Sequence, residues 1–133
     1  MQSLALVNLA ETYIGLARPE DVLACAEQAV QMTREIGYRQ AEGTALGSVA
    51  AAYRAMGQPG EARNWYQQAL VVRRQTGDRH GEAEILRDLG DLSAEAGQAQ
   101  AASRFWRQAL AILDGLGDAR ARAEIRSRLD SRA

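Results

Sequence analysis

Lysine is absent from this chain, so all sixteen of its basic residues are arginine. Seventeen acidic residues oppose them, and the formal net charge is −1. A balance so close to neutral argues against a broad nucleic-acid or membrane-surface footprint, since both draw on surplus positive charge. The single cysteine, Cys25, excludes an intramolecular disulfide and a cysteine-rich metal site. The single histidine, His80, sits in a turn-like TGDRH segment and reads as a surface residue. With no second histidine, no nucleophile motif and no ligand cluster, no catalytic or metal constellation can be assembled. The glycine-bearing GQPGEAR stretch (57–63) lacks the spacing and the lysine of a phosphate-binding loop. No enzyme activity, metal or cofactor is therefore expected. No apolar run is long enough to span a membrane and no signal-peptide pattern opens the chain, which places it in the cytoplasm.

Proline occurs only twice, and aromatics make up 5% of the residues. Much of the 47% hydrophobic content is alanine, a helical composition. A chain of 133 residues suits one domain, 1–133, with a core of its own.

What is abundant is repetition. NWYQQAL (64–70) returns forty residues later as RFWRQAL (104–110). The same shift aligns Gly37, Gly77 and Gly117; Ala29, Ala69 and Ala109; Leu6, Leu46 and Leu86; and Leu9, Val49 and Leu89. Apolar residues recur at three- and four-residue intervals, the signature of amphipathic helices, and no stretch alternates with period two over strand length. Turn chemistry cuts each unit in two. Gly57 in MGQPGE tolerates the left-handed geometry of a helix C-terminus, and Pro59 suits the first turn of the next helix. IGYRQ, TGDRH and LGDAR form the other breaks, where Asp78 and Asp118 can cap the helices that follow. Helices are predicted near 3–17, 19–35, 39–56, 59–75, 79–96, 99–115 and 118–131.

The series Leu46, Val49, Ala50, Tyr53, Gly57, Ala62, Tyr66, Ala69 and Leu70 resembles the tetratricopeptide (TPR) signature of large, small and aromatic positions. The third unit follows it with Leu86, Leu89, Gly90, Gly97, Ala102, Trp106, Ala109 and Leu110, departing at Ser93; the first keeps Leu6, Leu9, Ala10, Tyr13, Ala29 and Val30. The forty-residue period is similar to that of TPR regions in polarity scaffolds and in the sensory tails of actinobacterial transcriptional regulators. The resemblance implies an all-α, right-handed TPR solenoid of three antiparallel helix pairs, with repeats at about 3–36, 39–76 and 79–116 and a capping helix at about 118–131. The aromatics then read as packing devices. Trp65 and Tyr66 point about 100° apart on a helix, and Cys25, aligned with Trp65 and Phe105, is expected to be buried.

By the same resemblance the first helix of each pair lines a concave face that binds a peptide or helical segment of a partner protein. The matching positions are Leu4, Val7, Asn8, Glu11 and Ile14 in the first unit, then Thr44, Gly47, Ser48, Ala51 and Arg54 in the second. In the third they are Glu84, Arg87, Asp88, Asp91 and Glu95. Glu84, Asp88 and Asp91 share a helix face and are expected to project three carboxylates together, favouring a basic segment. An anionic tail would be repelled, because the places where carboxylate-gripping TPR domains carry basic residues hold Val7, Glu11, Ser48, Glu84 and Asp88. The arginine-rich last helix has interleaved acids and no aromatics for base stacking, and reads as a solubilising cap. The apolar edge of Leu4, Leu6 and Val7 suggests an alternative, an uncapped end that docks a second copy as a homodimer or a preceding repeat.

Overall fold

The computed structural model describes residues 18–131. They form six α-helices: α1 (Pro19–Ile36), α2 (Arg39–Ala55), α3 (Pro59–Gln75), α4 (Arg79–Glu95), α5 (Ala99–Leu116) and α6 (Ala119–Asp130). Each end falls within a residue of the boundary that turn chemistry predicts, and no strand occurs among the described residues. The helix expected over 3–17 lies outside them.

The turns have one design. Gly37, Gly57, Gly77, Gly97 and Gly117 follow one another at twenty-residue spacing, all with φ between 70° and 76°. A side chain is strained there, and glycine is not. Beyond four of these glycines the next residue donates its N–H to the carbonyl five places back: Tyr38 to Thr33 (2.8 Å), Gln58 to Tyr53 (2.9 Å), Gln98 to Ser93 (2.9 Å) and Asp118 to Leu113 (3.4 Å). This closes the orphan carbonyls of the helix ends. The next helix begins differently in alternate turns. Pro19 and Pro59 open α1 and α3, whereas Asp78 and Asp118 cap α4 and α6 by accepting from Gly81 N (2.9 Å) and Ala121 N (3.1 Å).

The chain divides into two compact units, with the boundary between Thr76 and Gly77. In the first, α2 packs against both α1 and α3; in the second, α5 packs against both α4 and α6. Helix α1 buries Val22, Ala26, Ala29, Val30 and Thr33, an unbroken stripe at three- and four-residue spacing. Thr33 is tolerated in it because its hydroxyl donates to the Ala29 and Val30 carbonyls. Cys25 is half-buried rather than buried, like Trp65 and Phe105 at the same place in the later repeats. Each stands one step, about 100°, off the buried stripe that holds Ala26, Tyr66 and Trp106.

Ion pairs tie successive helices. Glu42, 2% exposed, lies between Arg34 of α1 (3.0 Å) and Arg39 (2.9 Å). Such a buried carboxylate persists because two guanidinium groups replace its water. Two forty-residue shifts place Asp114 and Arg122 where Arg34 and Glu42 stand, and these two also pair, at 3.2 Å, with the signs exchanged.

Helix α6 departs from the pattern of α2 and α4 where those helices are most buried. Leu46 and Leu86 become Arg126, and Ala50 and Gly90 become Asp130, both exposed; Ile125 alone in α6 is fully buried. The face that elsewhere holds a paired second helix has been converted to charge, which fits a cap.

A close approach joins α4 and α5. A Cβ built on Gly90 would sit 2.4 Å from Trp106 Cδ1 and Nε1. In the preceding repeat the same two positions hold Ala50 and Tyr66, so the smaller ring accompanies the larger backbone residue. Gly90→Ala is expected to destabilise the protein by about 1–3 kcal/mol through overpacking, although alanine is the better helix former by about 1 kcal/mol. Adding Trp106→Tyr should recover part of that loss. Urea unfolding of the two single variants and the double variant measures the coupling, and a stabilising Gly90→Ala would refute the packing account.

Candidate partner-binding site

The first-helix faces differ between the two units. On α2, Thr44 is half-buried and its carbonyl accepts the Ser48 hydroxyl at 3.2 Å, while Ser48 itself is only 6% exposed. Gly47 and Ala51 complete a face of low relief, with half-buried Arg54 in the last turn. Leu4, Val7, Asn8, Glu11 and Ile14, together with the apolar edge proposed for a second copy, lie outside the described residues.

On α4 the three carboxylates are not presented as one open row. Their side chains are 47%, 24% and 18% exposed for Glu84, Asp88 and Asp91. Asp88 accepts from Arg87 Nε and Nη2 at 3.2 and 3.1 Å. Burial works against the charge on Arg87, but the carboxylates of Asp88, Glu84 and Asp91 overcome it and raise its pKa. Asp91 is turned inward as a structural node. Its Oδ1 accepts the Trp106 indole N–H at 3.0 Å, and Arg128 grips both its oxygens at 2.8 and 3.3 Å. One carboxylate thus joins α4, α5 and α6, and little of it faces solvent.

Glu84 belongs to a different cluster. His80 Nδ1 lies 3.4 Å from it, and His80 Nε2 lies 3.2 Å from Asp118, the N-cap of α6. The Asp118 carboxyl is held below its ordinary range by the Ala121 N–H first and by His80 second. These groups stand around a cleft of about 140 Å³. Its apolar lining includes Ala83, Leu113 and Ile125, each no more than 4% exposed, with Ala121 beside them. Glu84, Asp118 and Glu124 supply carboxylates, and Arg87 and Arg120 supply positive charge.

His80 and Asp118 were not foreseen as partners, nor Asp91 and Arg128. The signal lay in the repeat itself. Residues 37 or 38 apart, such as 91 with 128 and 80 with 118, meet when one first helix stacks on the next. A charge of each sign at that offset is therefore readable as a candidate pair.

Removing Asp91 should loosen α6. Asp91→Ala orphans the indole N–H and a half-buried guanidinium, an expected cost of about 1–3 kcal/mol, and hydrogen exchange should quicken across α6 before α4. Unchanged α6 protection would sink the node. For Asp118 the sign follows from a folded-state pKa below its usual 3.8. Its contribution is complete above that value and is lost as pH falls through the folded pKa. Asp118→Asn keeps a cap and removes the titration, so the fall in thermal midpoint between about pH 5 and 2 should be shallower than in the wild type.

Among the described residues no helix is long and apolar enough to cross a membrane, and no group of three or more histidine, cysteine, aspartate or glutamate residues is placed to hold a metal ion. No curated protein matches the chain. Its fold is similar to the TPR domain of Arabidopsis FLU, at 18% identity and a TM-score of 0.79 over 86% of this chain and 96% of that one. It is also similar to the nearly identical TPR-like repeats of a putative kinesin light chain from Podosopora anserina (19% identity, TM-score 0.82, 99% of this chain) and to the apo form of RapI (14%, 0.81, 98%). The chain spans 66% of the former's length and 50% of the latter's. Likeness at such identities carries the fold alone. The TPR fold is typically a non-catalytic scaffold, and its repeats are generally protein–protein interaction modules. A tetratricopeptide-repeat profile matches residues 2–75 and again 41–114. The chain belongs to the tetratricopeptide repeat family.

Proposed function

We propose that this chain is a non-catalytic interaction module that receives a peptide or helical segment of a partner protein on its first-helix faces, best supported by the α4 face of the second unit, with basic segments preferred. The resemblance to the sensory tails of transcriptional regulators makes a regulatory part of a larger cytoplasmic signalling protein the reading in cellular terms. The observation that supports the site is the α4 face, where Glu84 stands exposed beside the cleft with His80, Asp118 and Glu124 around it. Asp88 and Asp91 contribute field rather than open contacts, since each is already held by an arginine. On α2 of the first unit, Thr44 and Arg54 remain candidates for contacts of that unit's own, whereas Ser48 is buried and its hydroxyl is taken by the Thr44 carbonyl.

Selection of displayed random peptides against the full chain, followed by anisotropy titration of the winners, tests this. The winners should be enriched in basic residues, and Glu84→Arg should weaken them at least about tenfold, or 1.4 kcal/mol. It should do so without lowering the thermal midpoint, because Glu84 is exposed. Asp91→Arg is unsuitable as a probe, since it breaks the Trp106 and Arg128 contacts. Peptides without charge bias, bound equally well by the Glu84→Arg chain, would overturn the α4 assignment.

A further inference from the structure

The cleft between α4 and α6 has a size and a lining that narrow what can enter it. Its volume is about 140 Å³. A helix about 10–12 Å across cannot fit. One long side chain can. The half-buried Ala121, over the buried Ala83, Leu113 and Ile125, gives the cleft an apolar side that suits an aliphatic stem rather than a polar head. At the polar lining, Glu84, Asp118 and Glu124 stand as three carboxylates.

The positive groups there leave Glu84 and Glu124 partly available, whereas Asp118 already accepts the Ala121 N–H and faces His80 and contributes mainly its charge. Arg87 is engaged by Asp88, which is not part of the cleft lining. The Arg120 side chain is 94% exposed, with its Nε 3.9 Å from Glu124, a contact that solvent screens heavily. His80, between Glu84 and Asp118, places an imidazole edge toward each carboxylate. Carboxylates on several sides of the cleft favour a cation that carries several donors. A guanidinium offers five N–H groups in a fixed fork and is weakly hydrated, which suits a site where several carboxylates surround an apolar floor.

We propose that this cleft receives a single arginine side chain of the partner segment, its stem on Ala83, Leu113 and Ile125 and its guanidinium among Glu84, Asp118 and Glu124. The assignment rests on the interaction-module reading and names the chemistry of its contact within the second unit.

The test titrates the ¹⁵N-labelled full chain with acetyl-arginine amide and follows backbone amide shifts, with the lysine, norleucine and glutamate amides as comparison probes. Saturable shifts at Ala83, Glu84, Ala121 and Ile125 are expected with the arginine probe, in the millimolar range. Glu84→Gln and Glu124→Gln should each weaken it at least threefold, and Ala121→Met, which fills the cleft without changing charge, should abolish the shifts. Added salt should weaken binding. An unchanged amide spectrum away from the cleft verifies folding for each variant, and any one of the three that folds suffices. Absence of shifts at the cleft, an equal response to norleucine, or an equal response to lysine would overturn the arginine assignment. If the cleft stays silent while display-selected peptides still bind in a Glu84-dependent way, the arginine site falls and the interaction module stands. If the peptides fail too, both fall.

Discussion

Everything in the described structure depends on how closely its helices approach. Alanine and glycine at the contact positions bring helix axes together, and in the later two repeats a ring, Tyr66 or Trp106, fills what they leave. Gly90 with Trp106 is the limiting case, where even a methyl group would overlap the indole. Ala50 with Tyr66 solves the same problem with a methyl gained and a smaller ring. Close approach is also what makes the polar seams possible. Only because α5 lies against α4 can the Trp106 N–H reach Asp91, and only then does Asp91 have an oxygen pair correctly aimed at Arg128 of α6. Packing positions the charge, and the charge in turn fixes a helix that buries little else than Ile125.

That order of dependence separates what could be read in the residues from what could not. Helix boundaries were legible because they are local. The twenty-residue glycines and the Asp78 and Asp118 caps act through their own neighbours, so turn chemistry alone places six helices within a residue. The small and aromatic contact positions were legible because the repeat states them more than once. Individual charge contacts were harder, since a helix face tells which side a carboxylate is on but not what meets it there. Asp91 shares a face with Glu84 and yet turns inward, because its neighbours include an indole N–H and an arginine that come from other helices. His80 looked like an isolated surface histidine for the same reason: one of its two carboxylates is 38 residues away in the chain.

The Arg34–Glu42 and Asp114–Arg122 pairs show how much freedom remains inside the pattern. Both tie the last turn of a second helix to the first turn of the next, but with opposite polarity. The requirement at that joint is an opposite pair eight residues apart, not a particular sign at either place. Burial distinguishes them. Glu42 is almost fully enclosed and needs two arginines, whereas Asp114 is 45% exposed and its one partner suffices. A deeply enclosed charge left single would cost several kcal/mol, while a half-exposed pair costs little to form or to lose.

A chain whose basic residues are all arginine writes its contacts in one geometry. The guanidinium is planar and can hold a carboxylate by two donors at once, as Arg128 holds Asp91 and Arg87 holds Asp88. Lysine could supply the charge at either place but not the fork. The internal pairs therefore also describe what the surface of α4 is chemically suited to accept. Of Glu84, Asp88 and Asp91, the last two are taken by arginines of the chain itself. The third, Glu84, has a histidine against it, which is a weaker competitor because its charge depends on protonation. An incoming arginine meets at Glu84 the kind of carboxylate its own chemistry fits, beside a floor already shaped for an aliphatic stem. Under the proposed assignment charge reversal there would act on recognition, while the same change at Asp91 would break the Trp106 and Arg128 contacts of the fold, although the two residues lie on one face of one helix.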